Sequence, residues 1–177
     1  MAGTARGGFC FNLCNFTFTK KQLDMAALEE GMKAPDFTGT DQHGREISLG
    51  GLKGKKVILY FYPKDDTPGC TAEACNLRDN YKELAGKGFE VIGVSADSEK
   101  SHQKFISKYA LPFNLVSDTG KSVLKAYGAW GLKKRYGREY EGILRKTFVI
   151  DEKGTIVRIF DKVDTRDHTR QILEAIG

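Results

Sequence analysis

The run KVILYFY at residues 56–62 is β-branched or aromatic at nearly every position and stops at Pro63. It is too short to cross a membrane and too continuously apolar for a surface strand, so it predicts a buried central strand whose exit is set by the proline. The pattern then alternates. After a loop at 64–69, Ala74, Leu77, Tyr81 and Leu84 recur at steps of three, four and three, one face of a helix that starts near Cys70 and is closed by Gly86 and Gly88. FEVIGVS at 89–95 predicts the next strand. Asp97 or Ser98 caps a helix running to Tyr109, with Phe105, Ile106 and Tyr109 inward, and Pro112 prevents its continuation. A short strand at 114–117 and a short helix at 121–127 follow.

RKTFVI at 145–150 and TIVRIF at 155–160 are joined by DEKG, an acid-and-glycine turn that makes the pair an antiparallel hairpin. A last helix begins at Thr165 or Asp167 and presents Ile172, Leu173 and Ile176. Strand–helix–strand units need parallel neighbours and the hairpin needs an antiparallel one. The expectation is a single α/β domain of three layers, α/β/α, with a mixed central sheet.

Composition narrows the function. No apolar run approaches the roughly 18 residues of a spanning helix, so no membrane role is expected. The net charge of +5 falls to +3 once the first 24 residues, with three basic side chains and one acid, are set aside. That excess does not suggest a nucleic-acid binder, and Lys133, Lys134, Arg135 and Arg138 read as a solvated loop near the site, interrupted as they are by Tyr136, Gly137, Glu139 and Glu141. His43, His102 and His168 have no partner at ligand spacing, so no metal is expected.

Residues 1–24 differ from the rest. Phe alternates with Asn, Cys and Thr, no acid precedes Asp24, and a second Met follows at Met25. Asn12 and Asn15 interrupt what a secretory signal requires, and an organellar transit peptide is usually rich in Ser, which this segment lacks. A leader or tag-like segment outside the fold is expected, with the functional domain at 25–177 and the protein in the cytoplasm. Cys10 and Cys14 stand at helical i, i+4 spacing without a further ligand and read as an adventitious pair.

The other two cysteines carry the chemistry. Loops at the carboxyl ends of strands are where open α/β sheets place their sites, and Pro63-Lys-Asp-Asp-Thr67-Pro-Gly-Cys70 is such a loop. It delivers Cys70 to a helix N-terminus, where free N–H groups and the helix dipole favour a thiolate over a thiol. Thr67, three residues earlier, can donate its hydroxyl proton to the thiolate or to an oxygen bound across the loop. Cys75 is five residues on, neither the C-x-x-C of a redox dithiol nor half of a zinc ribbon. In an intact helix, i and i+5 are separated by about 7.5 Å of rise and about 140°. A bond between them therefore requires the first turns to unwind.

PKDDTPGC at 63–70 resembles the peroxiredoxin signature P-x-x-x-T-x-x-C, and TAEACNLRD places a second cysteine where the bacterioferritin-comigratory-protein (peroxiredoxin Q) branch has its resolving cysteine. GMKAPDFTGTDQHG, YGAWG at 127–131 and GILRKTFVID at 142–151 extend the resemblance over about residues 28–177. It implies a thioredoxin-like fold and a thiol-dependent peroxidase acting on hydrogen peroxide and organic hydroperoxides. Cys70 would be the peroxidatic cysteine, Thr67 the hydrogen-bonding partner of sulfur and peroxide, Pro63 the shield of the pocket and Arg145 the charge that stabilises the thiolate. Cys75 would resolve the sulfenic acid to an intramolecular disulfide, recycled by thioredoxin or a similar dithiol, with no metal, flavin or haem and no need to dimerise. Two rivals are a thioredoxin-like thiol–disulfide oxidoreductase, disfavoured by the missing C-x-x-C, and a redox-sensing holdase module.

Overall fold

The computed structural model describes residues 27–177; the expected leader, Cys10, Cys14 and the first two positions of the expected domain lie outside the described residues. Strands β1 (Thr38–Asp41), β2 (Glu46–Ser48), β3 (Lys56–Phe61), β4 (Phe89–Ser95), β5 (Asn114–Ser117), β8 (Lys146–Ile150) and β9 (Ile156–Phe160) form one sheet in the order β2-β1-β5-β4-β3-β8-β9. The central β3, β4 and β5 are parallel, whereas β8 pairs with β3, and β9 with β8, antiparallel. The mixed sheet and the hairpin are as the sequence predicts.

Strand periodicity divides the core. Val57, Leu59 and Phe61 face a cluster with Val123 and Leu124 of α4 (Ser122–Ala126). Ile58 and Tyr60, with Tyr62 beyond the strand, face α1 (Pro68–Asp79), α2 (Tyr81–Gly86), α3 (Glu99–Tyr109) and α5 (His168–Ile176), which contribute Leu77, Leu84, Phe105 and Ile172. Helices thus cover both faces of the sheet. Among the described residues no helix is long and apolar enough to cross a membrane.

Three local expectations change. The single helix through Ala74 and Leu84 is two helices, because Asn80 (φ −105°, ψ 9°) breaks it, and its side-chain amide donates to the Asn76 carbonyl at 2.8 Å, competing with the backbone ladder. The first of these starts at Pro68, where the missing N–H costs nothing, so Cys70 lies within the first turn rather than at its start.

The expected basic loop is an antiparallel ribbon, β6 (Trp130–Arg135) with β7 (Arg138–Ile143). Its two-residue turn, Tyr136 (φ 50°) and Gly137 (φ 74°), has the left-handed geometry that suits strand twist. With both faces largely polar, the ribbon carries none of the apolar alternation by which strands are read.

Candidate active site

β3 ends at Phe61, and the chain then passes Tyr62 and half-buried Pro63 into the loop before α1. Thr67, in extended conformation (φ −101°, ψ 151°), is the N-cap residue. Its hydroxyl donates to the Lys64 carbonyl at 3.0 Å and caps no helix N–H. A hydroxyl has one proton, so in this arrangement Thr67 offers the sulfur none; its oxygen keeps lone pairs free to accept.

Cys70, 2% exposed, points from the first helical turn into the core face that holds Ala74 and Leu77. Arg145 stands just before β8, and the pairing of Phe61 with Lys146 brings it across the mouth of the loop. Its Nη2 donates to Cys70 Sγ at 3.1 Å, while Nη1 is ion-paired with Glu73 Oε2. One planar guanidinium therefore grips the thiol and the carboxylate together. Cys75 is also a free thiol, half-buried one turn further along α1.

Glu73 is the site residue that the sequence reading missed. It is fully buried, and burial pushes its carboxyl from 4.5 up to about 7 although Arg145 pulls it down. Glu73 Oε1 has no hydrogen-bond partner among the described residues and lies 3.9 Å from Nε2 of the buried His168. The Gln171 amide is oriented by its bond to the Lys162 carbonyl and by the Asp164 N–H, so its Oε1 faces His168 Nδ1 at 2.9 Å. Nδ1 must then carry the ring proton, leaving Nε2 to accept from Thr147 Oγ1 at 2.8 Å. Burial lowers the His168 pKa to about 4, keeping the ring neutral beside Arg145. A glutamate three positions after Cys70, next to the apolar stripe of Ala74 and Leu77, was the available signal.

Lys133 is a second correction. It is half-buried, its Nζ donates to the Ile143 carbonyl at 2.7 Å, and it lies within electrostatic range of Arg145 and Cys70. Burial, with the Arg145 cation, lowers its pKa. It lies near the site as expected, but half-buried and hydrogen-bonded rather than free in solvent.

The family profile described as AhpC/TSA matches residues 31–159. Peroxiredoxin Bcp of Bacillus subtilis (strain 168) is 44% identical over 149 residues, 84% of this chain and 95% of its own. That of Escherichia coli (strain K12) is 42% identical over 149 residues, 84% and 96% of the two chains. The solved structure of Xanthomonas campestris bacterioferritin comigratory protein, described for its alkyl peroxide reduction activity, matches with a TM-score of 0.77 at 32% identity, covering 84% of this chain and 97% of that one. The chain belongs to the AhpC/TSA family, in its bacterioferritin-comigratory-protein (peroxiredoxin Q) branch, and is a thiol-dependent peroxidase with a thioredoxin-like fold.

Proposed function

We propose that Cys70 is the attacking thiolate and Cys75 its resolving partner, and that the substrates are hydrogen peroxide and organic hydroperoxides. The observation that carries this reading is the 3.1 Å contact from Arg145 Nη2 to Cys70 Sγ inside the first turn of α1. The Cys70 sulfur forms a bond to the nearer peroxide oxygen as the O–O bond breaks; the other oxygen leaves with a proton as water or alcohol, and Cys70 becomes a sulfenic acid. Arg145 and the free N–H groups of the helix N-terminus face the charge that develops on the oxygens. Thr67, its own proton held by Lys64, accepts the peroxide O–H and orients it. Pro63 shields the pocket from water.

Cys75 then attacks the Cys70 sulfur, the S–S bond forms and water leaves. The five-residue separation on one helix requires the turns between them to open. Thioredoxin or a similar dithiol donates two electrons and two protons to restore both thiols. The resolving thiol is in the same chain, so a monomer suffices. The working unit is the domain at 25–177, and the cytoplasm, where dithiol reductants are maintained, suits the cycle.

Mass spectrometry after one equivalent of peroxide tests this. A Cys70–Cys75 cross-link is expected in the native chain, and Cys70→Ser should consume no peroxide. Continued consumption by Cys70→Ser would sink the assignment of the nucleophile, and a sulfenic acid that never converts to the cross-link would sink that of Cys75.

A further inference from the structure

The loop before α1 is bolted to α3 by two successive aspartates. Asp65 is nearly buried, and its carboxylate accepts three hydrogen bonds: from the Tyr62 hydroxyl at 2.7 Å, from Ser101 Oγ at 2.6 Å and from His102 Nδ1 at 2.9 Å. Burial works to raise the Asp65 pKa, but these donors outweigh it and hold the carboxyl below its ordinary range. A carboxylate has no proton to give, so Nδ1 of the fully buried His102 must be the donor. The Asp65 N–H donates to Asp97 Oδ2 at 2.9 Å, an oxygen also held by Ser95 Oγ at 2.8 Å. Side chain and main chain of Asp65 are therefore both fixed.

Asp66 follows in the left-handed region (φ 53°), an unfavourable place for a residue with a side chain. Its carboxylate is held by Lys108 Nζ at 2.7 Å and the Tyr109 hydroxyl at 2.6 Å, at the far end of α3. The first and last turns of α3 thus grip consecutive loop residues. The next residue is Thr67, and none of the atoms that hold Asp65 belongs to Cys70 or Arg145.

We infer that Asp65, locked by His102, is a positioning residue for peroxide reduction: it sets where the Thr67 hydroxyl stands relative to the Cys70 sulfur. This deepens the reading in which Cys70 attacks and Thr67 orients the peroxide, and it rests on that reading. The displacement needs the sulfur in line with the peroxide O–O bond, which the Thr67 hydroxyl orients, and a misplacement on the order of 1 Å can cost about a hundredfold in rate. Arg145 reaches the Cys70 sulfur separately, through none of the contacts that hold Asp65. Loop position and thiolate character should therefore be separable.

Asp65→Asn keeps the shape but puts an amide N–H among three donors. Two rates are compared at one pH: Cys70 oxidation by hydrogen peroxide in stopped flow, and Cys70 alkylation by iodoacetamide, which needs a thiolate but no oriented peroxide. The expected result is a peroxide rate lower by about tenfold to a hundredfold, with alkylation changed by less than about twofold. In a Thr67→Val background the same substitution should cost little more, because its effect is already lost.

Ser101→Ala removes one donor and serves if Asp65→Asn does not fold; it should lower the peroxide rate by about threefold, again sparing alkylation. Parallel falls in both rates would overturn the inference, as would two unchanged rates or full additivity with Thr67→Val. Cys70→Ser keeps the two levels apart. If it still consumes peroxide the underlying reading fails, and if it is inert while Asp65→Asn behaves like the native chain, only the positioning role fails.

Discussion

The two ends of α1 are held by different physics. At the first turns the contacts are ionic and buried: Cys70 and Glu73 share one guanidinium, with neutral His168 beyond. At the last turns they are hydrogen bonds to neighbouring backbone. Asn76 Nδ2 donates to the Arg166 carbonyl at 3.0 Å, Asn76 Oδ1 accepts from the Thr169 N–H at 2.8 Å, and Arg78 Nη1 donates to the Tyr109 carbonyl at 2.8 Å. Asp167 makes no side-chain cap bond for α5, so Asn76 supplies that cap from another helix. Cys75 sits at the junction of the two regimes. Charge holds the Cys70 end, and hydrogen bonds to neighbouring backbone anchor the other; if Cys75 resolves Cys70 as proposed, the helix opens against a fixed point just past Cys75.

Arg145→Met breaks the contrast most directly. It removes the donor to Cys70 and leaves Glu73 buried without its cation, and the peroxide rate should fall by about a hundredfold or more. Stopped-flow oxidation reads this, and a change below about threefold would mean that the charged end does not govern reactivity. Cys75→Ser probes the junction. The first turnover should stay within about twofold of native while recycling by a dithiol is lost, checked by comparing single-turnover with steady-state peroxide consumption. A native steady-state rate would contradict the resolving role.

Two further substitutions separate the ionic end by pH. Between about 4.5 and 7 folded Glu73 keeps a proton that the unfolded chain has released, so its contribution to stability is lost as pH rises through that window. Between about 6.5 and 4 the unfolded chain takes up a proton on His168 that the folded chain refuses, so that contribution is lost as pH falls. The slopes oppose each other over most of the range. Glu73→Gln should leave stability rising with pH from about 4 to 6.5, and His168→Asn should leave it falling from about 4.5 to 7. Urea midpoints at several pH values measure both, and identical pH profiles in the two variants would show that the cluster is not held by burial as described. The smallest effect belongs to the amide end. Asn76→Ala should cost about 1 kcal/mol of stability, read as a lower urea midpoint, with the first-turnover rate unchanged; a slowed first turnover would mean that the two ends are not independent.

Much of this was legible along the chain. The bounds of β4 and β5, the hairpin of β8 with β9 and the loop before α1 follow from apolar period, turn residues and Pro63, all local signals. β1, β2 and the ribbon of β6 with β7 were not, because short or two-sided polar strands lack that period. At the site, Cys70 is legible from its loop and helix start and Arg145 only through the family resemblance, whereas Glu73 reads as an ordinary helical acid until Arg145, 72 positions away, comes to meet it. Asp65 and His102, 37 positions apart, are likewise visible only once α3 packs beside the loop. Buried charge is the property that sequence reading handles worst, since its partner is chosen by topology and not by spacing.

The pairing of β8 with β3 has a consequence for synthesis. Cys70 leaves the ribosome 75 residues ahead of Arg145, and β8, whose Lys146 pairs with Phe61, must be complete before the guanidinium can reach the sulfur. His168 arrives later still, with α5. A nascent chain therefore carries Cys70 through most of translation without its Arg145 contact, which forms only when the sheet is closed by its late strands.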